Sequence, residues 1–338
     1  MAPLSKLRSS ITQFWPPRPA FTDADIPRGS QAGRVFMVTG GNAGIGYELC
    51  RILVGTGATV YMATRSKERA EASIQSIKES YAEPDAMTGQ LKFLHLDLND
   101  LNSVRDAARR FAQQEDKLDV LWNNAGIGAN AVEYGVRTAQ DLELFMGVHC
   151  VGALLLAELL LPQLRAATSS KLPSRVVWLT SILVDTASPQ NGVNFDVLET
   201  GTRDQITNYA ASKAGAWVLG REFGRRHGSD GVLSIVMNPG NLDAGAFKGT
   251  PRFAMFTTRT SRPQKPVFGA YTELFAGLSP EVTRDTSGRY IYPWGRLISD
   301  SSVVRQDVLK AAESEELGGL GYGKKLWDWC ETKWKLAE

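Results

Sequence analysis

The chain has 338 residues, 43% of them hydrophobic and 22% charged, with 38 basic against 36 acidic side chains and a formal net charge of +2. That composition suits a globular protein with a sizeable core, and so even a charge balance gives no electrostatic basis for a nucleic-acid partner or an anionic membrane surface. Cys50, Cys150 and Cys330 lie far apart and form no CxxC pair, which removes a disulfide framework and a metal site from the expectations and fits a reducing, cytoplasmic setting.

The opening stretch, MAPLSKLRSSITQFWPPRPAF, carries basic residues but neither an apolar core nor a small-residue cleavage site, so it does not read as a secretory signal. Residues 1–32 read instead as an extension packed on the domain. No run approaches the ~18 consecutive apolar residues of a membrane span.

From Gly33 onward, short apolar runs alternate with amphipathic stretches. RVFMVTG is strand-like and leads directly into Thr39-Gly40-Gly41-Asn42-Ala43-Gly44-Ile45-Gly46. A glycine-rich loop between a strand and a helix lets the backbone approach a pyrophosphate while the helix aims free N–H groups at it. The helix runs from Gly44 to Val54. The next strand, ATVYMAT, ends at Thr64-Arg65-Ser66-Lys67. A site for NAD carries an acid ~20 residues after the glycines to hold the ribose 2′-hydroxyl, whereas an Arg accommodates a 2′-phosphate. There is no acid here, so Arg65, with Lys67 nearby, points to NADP(H).

A helix is expected over Lys67 to Tyr81 with Ser66 as N-cap, and another over Leu101 to Gln114 with Asp100 as N-cap. Between them LKFLHLD reads as a strand; Asp97, followed by Leu98, is placed to accept from an adenine amino group. LDVLWNN runs into Asn124-Ala125-Gly126, where small residues leave room for a cofactor and an amide can brace neighbouring strands. A long helix is expected from Leu142 to Leu164. RVVWLTS ends at Ser181, a long loop spans Ile182 to Asn208, and a helix is expected from Tyr209 to Arg226. LSIVMNP leads into Pro239-Gly240 and a second long loop from Asn241 to Pro266. The tail from Ser299 ends in a helix whose Trp327, Cys330 and Trp334 share one face, a packing face by default.

Near-continuous apolar strands alternating with helices imply an α/β doubly wound parallel sheet in three layers, covered on both faces. The expected organisation is one domain, 33–298, with a C-terminal helical tail, 299–338. Such a sheet takes its ligand outside the carboxyl ends of the strands.

Tyr209 and Lys213, four apart, share one helix face. A free Tyr has a pKa of about 10, and a nearby ammonium favours the phenolate. Ser181 is placed to hydrogen-bond a substrate oxygen.

Together, TGGNAGIG, NNAG, a strand ending in Ser, YAASK and Asn238-Pro239-Gly240 resemble the short-chain dehydrogenase/reductase family over about Gly33 to Gly295. The TR after the second strand and the long insert before Tyr209 are similar to its retinol-dehydrogenase-like branch. The WNNAG stretch, PWGR and the Trp-rich tail are similar to fungal members, many tied to secondary metabolism. The resemblance implies a Rossmann fold and a Ser181-Tyr209-Lys213 triad. It also implies cofactor contacts at Gly40, Asn42, Gly44, Ile45, Gly46, Arg65, Asp97, Leu98, Asn124, Ala125, Gly126, Tyr209, Lys213, Pro239, Gly240, Leu242 and Ala244. Two positions depart from the family pattern. His149 stands where the family has an Asn supporting a proton relay to the lysine, and Ala244 where it has a Thr touching the nicotinamide carboxamide.

The expected function is NADP(H)-dependent interconversion of a ketone and a secondary alcohol on a mid-sized, largely apolar small molecule. Phe247, Phe253, Met255 and Phe256 of the second long loop suggest an apolar pocket. Two readings of His149 stand side by side: an imidazole that maintains the relay and titrates near pH 6.5, and a histidine satisfied by a backbone carbonyl with no catalytic part. The alternatives are a non-redox step on the same fold, with the cofactor mainly structural, and a non-catalytic NADP(H)-binding protein. A homo-oligomer is compatible with the resemblance.

Overall fold

In the computed structural model, the structure describes residues 9–81, 88–169, 172–243 and 263–337. Eight strands form one sheet in the order β3-β2-β1-β4-β5-β6-β7-β8. They are β1 (Val35–Thr39), β2 (Thr59–Thr64), β3 (Gln90–His95), β4 (Val120–Asn123), β5 (Ser174–Leu179), β6 (Val232–Met237), β7 (Tyr290–Tyr292) and β8 (Arg296–Leu297). The pairings from β3 to β7 are parallel, and β8 closes the edge antiparallel to β7. β1, β4 and β6 are buried along their whole length, as near-continuous apolar runs require when helices cover both faces. The chain order reverses between β1 and β4, so the ligand crevice opens at the carboxyl ends of those two strands.

The helices α1 (Gly44–Val54), α2 (Lys67–Ser80) and α3 (Leu101–Ala112) follow the first three strands. Ser66 accepts from the Arg69 N–H and Asp100 from the Asn102 N–H, so both N-caps form. The expected helix from Leu142 to Leu164 is instead broken. It runs as α4 (Leu144–Leu159) and bends by 55° into α5 (Leu161–Ala167). Within the first part, Gly147–Gly152 is a π-helical stretch centred near His149. Pro162 sits at the start of the second part, where a missing N–H costs nothing. The pair is core material, its Val151, Leu154, Leu156 and Leu164 being fully buried. No single helix among the described residues is long and apolar enough to cross a membrane.

The loop expected from Ile182 to Asn208 contains a short helix, α6 (Leu183–Ala187), and ends early. The long helix α7 (Gln205–His227) starts one turn before Tyr209 because Asp204, not a residue at Tyr209, caps it. A helix the sequence reading passed over, α8 (Pro266–Leu278), covers the face opposite α7, with Pro266 in its first turn. The C-terminal helix Tyr322–Lys335 lays Trp327, Cys330 and Trp334 into the core beside α7.

Candidate active site

The floor of the crevice is built by side chains of Thr39 and Asn124. Thr39 donates from Oγ1 to the Trp122 carbonyl at 3.2 Å and accepts from the Ala125 N–H at 2.9 Å. Asn124 donates from Nδ2 to the Thr39 carbonyl at 2.7 Å. These bonds brace the ends of β1 and β4 where the ladder between them stops.

Over that floor lies the glycine loop. A Cβ on Gly46 would come within 2.6 Å of both Asn124 Nδ2 and the Gly40 carbonyl, so no side chain fits. The N-cap of α1, Ala43, makes no side-chain cap bond, which leaves the first-turn N–H groups to an anion. Asn42 is held by its neighbours, its Oδ1 accepting from Thr64 Oγ1 at 2.8 Å and its carbonyl from Ser73 Oγ at 3.0 Å. Arg65 is exposed at the end of β2, while Lys67 pairs loosely with Glu71 at 3.6 Å. Asp97 accepts from the Asn99 N–H at 3.0 Å, and Leu98 is buried at the end of the same segment. Uncapped helix N–H groups and a loop too tight for side chains fit the pyrophosphate of a dinucleotide.

At the other end of the crevice, Leu242 is buried against α8. Its Cδ1 and the Ile45 side chain fill the space above Gly269. Gly240 lies beside Trp294, whose indole N–H is buried without a partner among the described residues and whose backbone holds φ at 67°. Ala244, Phe247, Phe253, Met255 and Phe256 lie outside the described residues.

Ser181 follows the end of β5, near enough to Tyr209 of α7 for its hydroxyl to lower the phenol's pKa. The Leu183 N–H donates to Ser181 Oγ at 3.2 Å. Lys213, one turn further along α7, donates from Nζ to the Leu179 carbonyl at 3.1 Å and stands 5.8 Å from the Tyr209 ring centroid. Burial pushes the Tyr209 phenol up to about 12, against the lowering effect of the Ser181 hydroxyl. Burial brings Lys213 down to about 8, with Cys150 and Glu273 pulling the other way. The expected lowering of Tyr209 by Lys213 is therefore corrected. Loss of solvent dominates, and Tyr209 is a protonated donor at neutral pH.

Of the two readings of His149, burial goes against the titrating imidazole and favours the structural histidine. His149 is 2% exposed. Its Nε2 accepts from the Ile127 N–H at 3.0 Å, so Nδ1 carries the proton and faces Ser212 Oγ at 2.8 Å. Ser212 in turn donates to the Tyr209 carbonyl at 2.7 Å. Burial, and then the charge of Lys213, hold His149 well below its ordinary pKa. Gly126 permits this arrangement, since a Cβ there would meet His149 Nε2 at 3.1 Å and Lys213 Nζ at 3.2 Å.

Phe145 stacks on His149 at 5.9 Å and meets the Tyr209 ring edge-on at 5.9 Å. Ala129 and Phe145 pack with Tyr209, joined by Ile127, Val132 and Leu183, into an apolar patch around the phenol. Sequence reasoning passed over this patch, and also Gln13 and Asp185, which meet behind the Ser181 segment.

A model of the short chain dehydrogenase family matches residues 34–193. The chain is similar to the short-chain dehydrogenase/reductase iacJ of Pestalotiopsis fici, with 43% identity over 334 residues, 98% of this chain and 99% of the relative. A short-chain dehydrogenase/reductase of Phomopsis amygdali is 39% identical over 338 residues, 98% of each chain. Among solved structures, an uncharacterized protein of Mycobacterium Paratuberculosis aligns with a TM-score of 0.65 and 28% identity, covering 93% of this chain and 97% of that one.

Proposed function

The chain belongs to the short-chain dehydrogenase/reductase family, an oxidoreductase family that binds a nicotinamide cofactor and acts on small molecules, and on that premise we propose that it reduces a ketone to a secondary alcohol with NADPH, or runs the reverse reaction. The observation that carries this reading is the placing of Tyr209 and Lys213, one turn apart on α7, at the carboxyl end of β5 beside Ser181, with Lys213 Nζ on the Leu179 carbonyl and 5.8 Å from the Tyr209 ring. When bound, the cofactor supplies the hydride that adds to the carbonyl carbon. Tyr209, protonated at neutral pH, gives its phenolic proton to the substrate oxygen. Ser181 donates a hydrogen bond to that oxygen and holds it within reach. Lys213 places a positive charge beside the phenolate that remains, which stabilises the charge that develops. His149 keeps one tautomer and fixes the backbone of α7 under Tyr209.

Arg65 supports the choice of NADP(H), because an exposed guanidinium suits a 2′-phosphate. The glycine loop, Arg65, Asp97 and Leu98 would hold the adenosine and pyrophosphate. Asn124, Ala125, Gly126, Pro239, Gly240 and Leu242 would line the nicotinamide end. The apolar patch around Tyr209 supports a mid-sized, largely apolar carbonyl compound, and the fungal relatives support a secondary metabolite. The three thiols are unpaired and buried, in keeping with a reducing, cytoplasmic setting. We read 33–298 as the catalytic domain, with 1–32 as an N-terminal extension and 299–338 as a C-terminal helical tail. Loss of NADPH absorbance with a panel of apolar ketones, in the parent and in Tyr209→Phe, tests the reading.

A further inference from the structure

The segment ahead of β1 does more than cover the domain. Residues 9–14 are helical, and Gln13 on this helix is 2% exposed. Its Nε2 donates to Asp185 Oδ2, on the short helix four residues after Ser181. Its Oε1 accepts from Asn238 Nδ2 at 2.7 Å, and Asn238 is itself fully buried at the start of the Asn-Pro-Gly turn. The direction of the chain of bonds is fixed at one end by the backbone. The Gly240 N–H donates to Asn238 Oδ1 at 3.1 Å, so Asn238 presents its amino group to Gln13, and Gln13 must present its own to the Asp185 carboxylate.

The bridge falls where the sheet gives out. β5 and β6 are paired up to Leu179 and Met237, and Thr180 makes the last links, from N at 2.8 Å and from Oγ1 at 2.9 Å to the Met237 carbonyl. Beyond that point one strand continues into Ser181 and the other into Pro239-Gly240. The segment that carries Gln13 is seated a second time further on. The Ala20 N–H donates to the Trp294 carbonyl at 3.4 Å, Arg296 donates to the Arg18 carbonyl at 2.7 Å, and Phe21 meets Phe275 edge-on at 6.1 Å.

We propose that Gln13 is a positioning residue for the reaction, an amide clamp from the N-terminal extension that sets the separation of the Ser181 segment and the Asn238-Pro239-Gly240 turn. The proposal rests on the ketone-reduction reading above for its functional consequence, though not for the clamp itself. A glutamine suits the task because it offers a donor and an acceptor on one planar group. Removing it leaves a buried amide donor and a buried carboxylate each short of a partner, and both segments then relax to find water or each other.

The test compares the full-length parent with Gln13→Leu and with the double variant Gln13→Glu/Asp185→Asn, which reverses the polarity of one bond and rebuilds the bridge. Amide hydrogen exchange is followed at Leu183 and Gly240, with Val38 and Val236 in the sheet as internal reference. In Gln13→Leu the two loop amides exchange about tenfold faster or more, the reference amides keep their rates, and the double variant restores the loop rates to within about threefold. Turnover of the ketone that the parent reduces fastest falls about tenfold in kcat, with less change in KM, and recovers in the double variant. Unchanged loop exchange, equal acceleration at Val38 and Val236, failure of the double variant to restore the loops, or faster loop exchange with unchanged kcat each overturns the proposal. If the parent reduces no ketone, the functional reading fails and the exchange measurement still decides the clamp. If Tyr209→Phe abolishes reduction while Gln13→Leu behaves as the parent, the clamp alone falls.

Discussion

His149 and Ser212 face each other across 2.8 Å, and the hydroxyl passes the contact on to the carbonyl of Tyr209 at 2.7 Å. With the Ile127 N–H on its other nitrogen, the imidazole is a neutral strut between the loop after β4 and α7. It has no lone pair left for a proton in flight.

A neutral strut has a defined pH signature. Between about pH 5.5 and 7.5 the rate profile should carry no step that disappears in His149→Asn. Stability should show the opposite. The folded imidazole resists protonation, whereas an unfolded one binds a proton near pH 6.5. The folded pKa is thus depressed, so this contribution is present above about pH 6.5 and is lost as pH falls below it. Melting temperature should therefore drop more steeply from pH 7 to pH 5 in the parent than in His149→Asn. His149→Leu strands the Ile127 N–H and should cost about 1–3 kcal/mol at pH 7. A rate step near pH 6.5 that His149→Asn removes would restore a titrating role.

Arg65 makes a sharp case for cofactor choice, because the β2 end offers no acid. NADPH should bind more tightly than NADH, and Arg65→Ala should weaken NADPH about tenfold or more while changing NADH little. A charge-assisted bond to a phosphate contributes about 1.5–3 kcal/mol. Fluorescence titration of both cofactors checks this. Equal affinities in the parent would remove the basis for NADP(H).

Glu273 on α8 is fully buried, and neither carboxyl oxygen has a hydrogen-bond partner among the described residues. Burial pushes its pKa up to about 8, against the pull of Lys213. A raised folded value means that its stability contribution is fully present below the unfolded pKa, about 4.3, and is lost as pH rises through about 8. Glu273→Met keeps the length and removes the charge. It should raise the melting temperature by several degrees at pH 8.5 and by much less at pH 5. An equal shift at both values would show that the carboxyl is not the cause.

Most of the framework was legible from short-range pattern. The runs from RVFMVTG to LSIVMNP became the parallel strands, and Ser66 and Asp100 capped their helices. What escaped was set by long-range contacts. The π-helical turn at His149 is fixed by Ile127 and Ser212, partners that periodicity does not register. β7 and β8 span three and two residues, too short to carry an alternation. In the site, the glycine loop, Ser181, Tyr209 and Lys213 announced themselves by spacing. Gln13 did not, since its partners lie 172 and 225 positions away and a lone glutamine near a terminus carries no signal. The protonation states of Tyr209 and His149 also depended on burial, which a sequence gives only on average.

The central claim, hydride transfer to a ketone with Tyr209 as proton donor, is tested most directly by one single-turnover measurement. NADPH carrying deuterium at the transferable position of C4 is mixed with an apolar ketone and the parent or Tyr209→Phe, and label at the carbinol carbon is followed in time. Deuterium should reach that carbon in the parent, with transfer about 10²–10⁴-fold slower in Tyr209→Phe and cofactor affinity nearly unchanged. Product formed without deuterium, or label arriving equally fast in Tyr209→Phe, would contradict the claim.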